Sequence, residues 1–142
     1  MQTVNQLLQR KGYDVETIES NASVFDALTL MADKGIGSLV VMEGEKVTGL
    51  FSERDYARNI ILKGRTSKET QVKEIMTSQV VVINPGQTPE ECMAIMTEKR
   101  IRHLPVMENG DLIGIISIGD LVKAIIEEQQ FVIEQLVSYI NG

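Results

Sequence analysis

The chain contains one short unit written twice, the second copy 65 positions after the first. That offset lays Ser23-Val24-Phe25-Asp26 over Thr88-Pro89-Glu90-Glu91, Met31-Ala32-Asp33-Lys34 over Met96-Thr97-Glu98-Lys99, and Leu39-Val40-Val41-Met42-Glu43 over Leu104-Pro105-Val106-Met107-Glu108. The register continues without a gap: Gly49-Leu50-Phe51-Ser52 falls on Gly114-Ile115-Ile116-Ser117, and Asp55 on Asp120. Such a duplication requires each copy to be one supersecondary unit and the two units to be alike. Upstream, Val4-Asn5-Gln6-Leu7-Leu8 resembles Val72-Lys73-Glu74-Ile75-Met76 after a shift of three, so each copy has its own lead-in. The division implied is residues 1–66 for copy one with its lead-in, 67–127 for copy two, and 128–142 for a C-terminal helical tail.

Local signals give both copies the same elements. Ser23 and Thr88, each with an acid three residues on (Asp26, Glu91) and with Pro89 at the first helical position of copy two, announce a helix. Apolar residues recur at helical spacing and then give way to β-branched runs at 39–42 and 104–107. Glu43-Gly44-Glu45 and Asn109-Gly110 predict hairpin turns, followed by strands at 47–51 and 112–116 and helices beginning near Glu53 and Gly119. Short extended segments at 15–18 and 80–83 precede each unit. The unit is β-α-β-β-α, and the fold class is mixed α/β (α+β). Nearly unbroken apolar strands predict sheets covered on both faces, hence two repeats packed about a pseudo-two-fold axis with two related clefts. The last helix carries more apolar surface (Leu121, Val122, Ile125, Ile126, Phe131, Val132, Ile133, Leu136, Val137, Ile140) than one repeat needs. The excess predicts a homodimer contact, with core packing as the alternative.

Composition removes whole classes of function. A net charge of −6 argues against nucleic-acid binding. No stretch is long and apolar enough for a membrane span, and the start lacks a leader's basic and apolar pattern, so a cytoplasmic location is expected. Cys92 is the single cysteine and His103 the single histidine, which leaves no disulfide and no metal site to expect. No catalytic residue is assigned: there is no glycine-rich phosphate loop, no metal cluster and no nucleophile with a base at recognisable spacing. A nucleotide-processing enzyme is therefore the weakest reading. The cations are unevenly placed, however. Six of fourteen fall between Arg54 and Lys73, and Lys99, Arg100 and Arg102 sit beside His103, so an acidic protein could still hold a small anion locally.

The pattern Gly49-x-x-Ser52-x-x-Asp55, repeated as Gly114-x-x-Ser117-x-x-Asp120, is shared by both copies without an evident packing reason. It brings a hydroxyl and a carboxylate to a helix N-terminus, where free backbone N–H groups favour an anion. The Asp oxygens suit the vicinal hydroxyls of a ribose, and the Ser with the backbone amides suits a phosphate. A second reading stays open here: Ser52 and Ser117 cap their helices, and Asp55 and Asp120 complete capping boxes.

Both copies, over about residues 4–127, resemble the tandem CBS domain pair, or Bateman module. The β-α-β-β-α unit, the run Arg102-His103-Leu104-Pro105-Val106, the strand end Gly114-Ile115-Ile116-Ser117 and the following Asp120 carry the resemblance, together with Ser52-Glu53-Arg54-Asp55-Tyr56-Ala57-Arg58. It implies a non-catalytic regulatory module that binds an adenine nucleotide (AMP, ADP, ATP, NAD or S-adenosylmethionine) in the inter-repeat clefts. No cofactor is required, and an unidentified effector protein would read the signal. Asp55 and Asp120 would hold ribose hydroxyls, and Ser52 and Ser117 would contact ribose or phosphate. Thr17, Ile18, Val82 and Ile83, with Leu50 and Ile115, would sandwich the adenine. Arg102 and His103 occupy a position where the family often places basic residues; copy one has Gly37 and Ser38 there, so the two sites are unequal, and Arg54 and Arg58 are the candidates for the missing charge. A ligand-free dimerisation scaffold is the alternative function.

Overall fold

The computed structural model describes residues 2–141. Helix α1 (Val4–Lys11) is followed by β1 (Thr17–Glu19), α2 (Val24–Lys34), β2 (Ser38–Glu43), β3 (Lys46–Ser52) and α3 (Glu53–Tyr56), which runs on into a π-helical turn (Ala57–Ile61). Then come α4 (Val72–Ile75), α5 (Pro89–Lys99), β4 (His103–Glu108), β5 (Asp111–Ser117) and α6 (Ile118–Asn141). From α2 to β3 and from α5 to β5 every boundary repeats at an offset of 65.

Both helices that open the repeats start as their sequences require. Ser23 Oγ accepts the Asp26 N–H at 3.0 Å, and Thr88 Oγ1 accepts the Glu91 N–H at 3.2 Å. The Glu91 side chain also closes the reciprocal bond. They end differently. Gly35 takes the left-handed conformation at φ 65°, where it costs nothing, whereas Arg100 adopts φ 56° at the equivalent place. Arg100→Gly is therefore expected to raise stability by about 0.5–1 kcal/mol in urea unfolding.

The chain forms two compact units, residues 15–81 and the residues up to Asp14 together with those from Val82 onward. Covalent repeat and packing unit are thus not the same set of residues. The lead-in helices are the reason. Val72 and Lys73 at the start of α4 donate to Ala22 O (2.8 Å) and Ser20 O (2.9 Å). Val4 and Asn5 of α1 donate in the same way to Gln87 O (2.8 Å) and Pro85 O (2.9 Å). Each lead-in docks on the copy that it does not precede.

In the 15–81 unit, β1 runs parallel to β2, and β2 pairs antiparallel with β3. Its core is Val24, Ala27 and Met31 of α2 against Leu39, Val41 and Phe51 of the sheet, closed by Ile60, Val72 and Ile75. In the other unit β4 and β5 form the same hairpin, and the extended segment ahead of it contributes only a bridge from Ile83 to Val106. Both hairpins carry a register shift, after Val41 and after Val106. The turns need positive φ at Gly44 (62°) and at Asn109 and Gly110 (53° and 83°), as the Asn-Gly pair foretold. Cys92 is buried, and burial with the charges of Glu91 and Glu90 pushes its thiol up to about 11, which makes it an inert core residue.

Candidate functional site

Strand pleating decides which residues can meet a ligand, because alternate side chains take opposite faces. In the 15–81 unit Thr17 stands opposite Val40, Val40 opposite Leu50, and Ser38 opposite Ser52. These five share the face turned away from the helical core, since their neighbours Leu39, Val41 and Phe51 fill that core. Ile18 packs against the same core, so its side chain does not join Thr17 and Leu50 on that face. Copy two repeats the arrangement. His103 stands opposite Ser117 and Pro105 opposite Ile115, while Ile83 is buried opposite Val106; Val82, beside it, is exposed. Ile83 is therefore also a core residue.

At the end of this face the chain turns into α3 or α6, and Ser and Asp meet. Ser52 N and Oγ donate to Asp55 Oδ2 at 3.0 and 3.1 Å, and the Asp55 N–H returns to Ser52 Oγ at 3.3 Å. In copy two Ser117 N donates to Asp120 Oδ2 at 2.8 Å, and Asp120 N to Ser117 Oγ at 3.1 Å. The capping box is thus real in both copies. The first helical amides are used as well: Glu53 N donates to Gly37 O at 3.1 Å and Ile118 N to Arg102 O at 2.9 Å. The free anion seat expected at these helix starts is therefore mostly taken.

The glycine of the pattern has a packing cause that the sequence did not disclose. A Cβ at Gly49 would strike Met76 of the lead-in segment, and one at Gly114 would come within 2.8 Å of Leu8 Cδ2. Met76 and Leu8 are the equivalent residues of the two lead-ins. Gly49 and Gly114 are dockings for these helices, and Ser and Asp alone remain as candidates for chemistry.

The copies differ in charge, as expected, but through a residue outside the motif. Lys11, at the end of α1, donates to Asp120 Oδ2 at 2.6 Å and to Ile115 O at 2.6 Å. Burial raises the Asp120 carboxyl, yet hydrogen bonds from Lys11 and the Ser117 backbone, with the Lys11 charge, carry it below the usual range. Burial and then Lys11 lower the pKa of His103, so its ring is mainly neutral near pH 7. Arg102 is exposed beside it. Lys11, Arg102 and Asp120 are the charges around the His103 ring in this unit. In copy one Asp55 accepts instead from the neutral Thr77 Oγ1 at 3.2 Å. Arg54 and Arg58 are exposed and make no hydrogen bond or ion pair with Ser52 or Asp55 among the described residues, so they do not replace the missing charge here.

A sheet face closed by a Ser–Asp pair is present twice at one spacing, which makes the chain a duplicated module. The family model of the CBS domain matches residues 6–62 and 72–127, and the chain belongs to that family, carrying two CBS domains in tandem. It is 35% identical to a mitochondrial CBS domain-containing protein of Arabidopsis thaliana, covering 99% of this chain and 72% of the relative. A solved CBS-domain protein from Burkholderia ambifaria MC40-6 is 51% identical, with a TM-score of 0.86 over 90% of this chain and 96% of the other. A hexameric CBS-CP12 protein from bloom-forming cyanobacteria is 30% identical, with a TM-score of 0.77 over 86% of this chain and 70% of that one.

Proposed function

We propose that this protein is a non-catalytic sensor that binds an adenine nucleotide of the AMP, ATP, NAD or S-adenosylmethionine class and signals to a separate partner from the cytoplasm. The observation that carries the reading is the recurrence, in each unit, of a half-buried apolar strand residue (Leu50, Ile115) two positions before the Ser that pairs with a carboxylate (Asp55, Asp120). A flat base suits the first and a ribose diol the second. The cations gathered around Asp120 suit a phosphate. Calorimetric titration with AMP, ATP, NAD and S-adenosylmethionine tests this: saturable binding, with the nucleotide recovered unchanged, supports it. Absence of heat at millimolar ligand with folded protein refutes it, and conversion of the ligand returns the enzyme reading.

The sensor is proposed to be a homodimer joined through the tail of α6. In that helix Leu121 and Ala124 are buried, while Ile118, Val122, Ile126, Val132, Ile133, Leu136, Val137 and Ile140 are all exposed. With the half-buried Ile125 they recur on one face at the three-per-heptad density of a helix packed in a bundle. Removing residues 128–142 is expected to leave both CBS domains folded and to lower the sedimentation mass to that of a monomer. An unchanged mass would place the contact elsewhere.

A further inference from the structure

The two copies hold their acids by different means, and the difference is one positive charge. In copy one Thr77 does two things: its backbone exchanges both hydrogen bonds with Leu50 at 2.9 Å, and its hydroxyl donates to Asp55 at 3.2 Å. In copy two the Lys11 ammonium does both, meeting Ile115 O and Asp120 at 2.6 Å each. Helix length is the cause. α4 ends at Ile75, which leaves Thr77 extended and able to bridge the strand, whereas α1 continues through Lys11. Gln9, the residue equivalent to Thr77, is still helical and its backbone cannot pair with the strand, so a long side chain from the last helical residue reaches across instead.

Lys11 and the Ser117 amide both donate to Asp120 Oδ2, so a ribose diol that takes both carboxylate oxygens competes with this ammonium. The pair is largely shielded, with side-chain exposures of 31% for Lys11 and 24% for Asp120, so a neutral nucleoside would leave a poorly solvated charge without its partner. A phosphate would give that charge a new partner. Next to Lys11 lies a cavity of about 240 Å³ lined by three cations (Arg10, Lys11, Lys123) and two acids (Asp120, Glu127), with Leu7 and Ala124 as its apolar part. Arg10 is paired with Glu127 at 3.1 Å, which leaves Lys11 and Lys123 as the cations to meet an incoming anion.

We infer that Lys11 is a displaceable counter-ion that makes the copy-two site selective for phosphorylated adenine nucleotides over uncharged nucleosides, a phosphate entering the cavity beside it. The inference rests on the nucleotide-sensor reading above. Copy one, with Thr77 in place of the lysine, discriminates far less between charged and neutral ligands.

The test uses the full chain with Asp55→Ala, which silences copy one, and titrates adenosine and ADP against Lys11, Lys11→Met and Lys11→Arg. ADP is expected to bind about 100-fold more tightly than adenosine with Lys11 or Arg present. Lys11→Met is expected to shrink that preference by about tenfold or more, weakening ADP and strengthening adenosine. Lys11→Gln serves the same purpose should the methionine variant unfold. An unchanged preference in a folded neutral variant overturns the role of Lys11 and leaves the sensor reading intact. Failure of both ligands to bind the chain with Lys11 in place overturns both.

Discussion

Gly49→Val is expected to destabilise the protein by about 3 kcal/mol in urea unfolding, at the upper end of what overpacking costs. A Cβ at Gly49 lies 2.9 Å from Met76 Cγ and 2.9 Å from the Thr77 carbonyl oxygen. The side chain could turn aside, but the carbonyl cannot, because Thr77 exchanges two backbone hydrogen bonds with Leu50. Displacing Thr77 would also withdraw the hydroxyl that steadies Asp55, so damage to packing reaches the site. Gly114→Ala is the control. Its nearest neighbours are the flexible Leu8 methyl groups, at 2.8 and 3.0 Å, and a loss of only about 1 kcal/mol is expected. Equal costs at the two glycines would show that the lead-in helices dock by some other means.

Asp55→Ala and Asp120→Ala are each expected to weaken adenine-nucleotide binding at their own copy by about 10- to 100-fold, and the double variant to show no saturable heat. The magnitude follows from removing a carboxylate proposed to accept from two ribose hydroxyls. Each substitution also opens a capping box, which costs about 1 kcal/mol of stability and leaves the fold intact. The two effects separate the competing functions. A dimerisation scaffold whose Ser and Asp only cap helices would lose the stability and show no change in nucleotide affinity.

The fold was largely legible because its signals are local. Ser23 and Thr88 fixed the helix starts, Asn109-Gly110 fixed the second hairpin, and the offset of 65 carried each assignment from one copy to the other. Docking of the lead-ins was not legible. Nothing near Val4 or Val72 in the sequence states which sheet will receive it, and the contact from Leu8 to Gly114 spans most of the chain. The site was half visible for the same reason. Ser52, Asp55, Ser117 and Asp120 come together through short-range caps, whereas Lys11 reaches Asp120 across a separation of 109 residues. Period-two alternation accounts for the rest: Ile18, paired with Val41, and Ile83, paired with Val106, turn toward the core and leave Thr17 and Val82 outward. The basic residues at 54 and 58 were legible as charge but not as direction. They lie on exposed turns of α3 and the π-helical segment that follows it.

The central claim is that the carboxylates of Asp55 and Asp120 receive a nucleotide's ribose. A crystal structure of the protein grown with saturating ADP tests it directly. The account predicts ribose hydroxyls within hydrogen-bonding distance of Asp120, the adenine against Ile115, and the Lys11 ammonium moved from the carboxylate to a phosphate oxygen. ADP bound elsewhere, with Lys11 still on Asp120 and no ligand at Asp55, would contradict it.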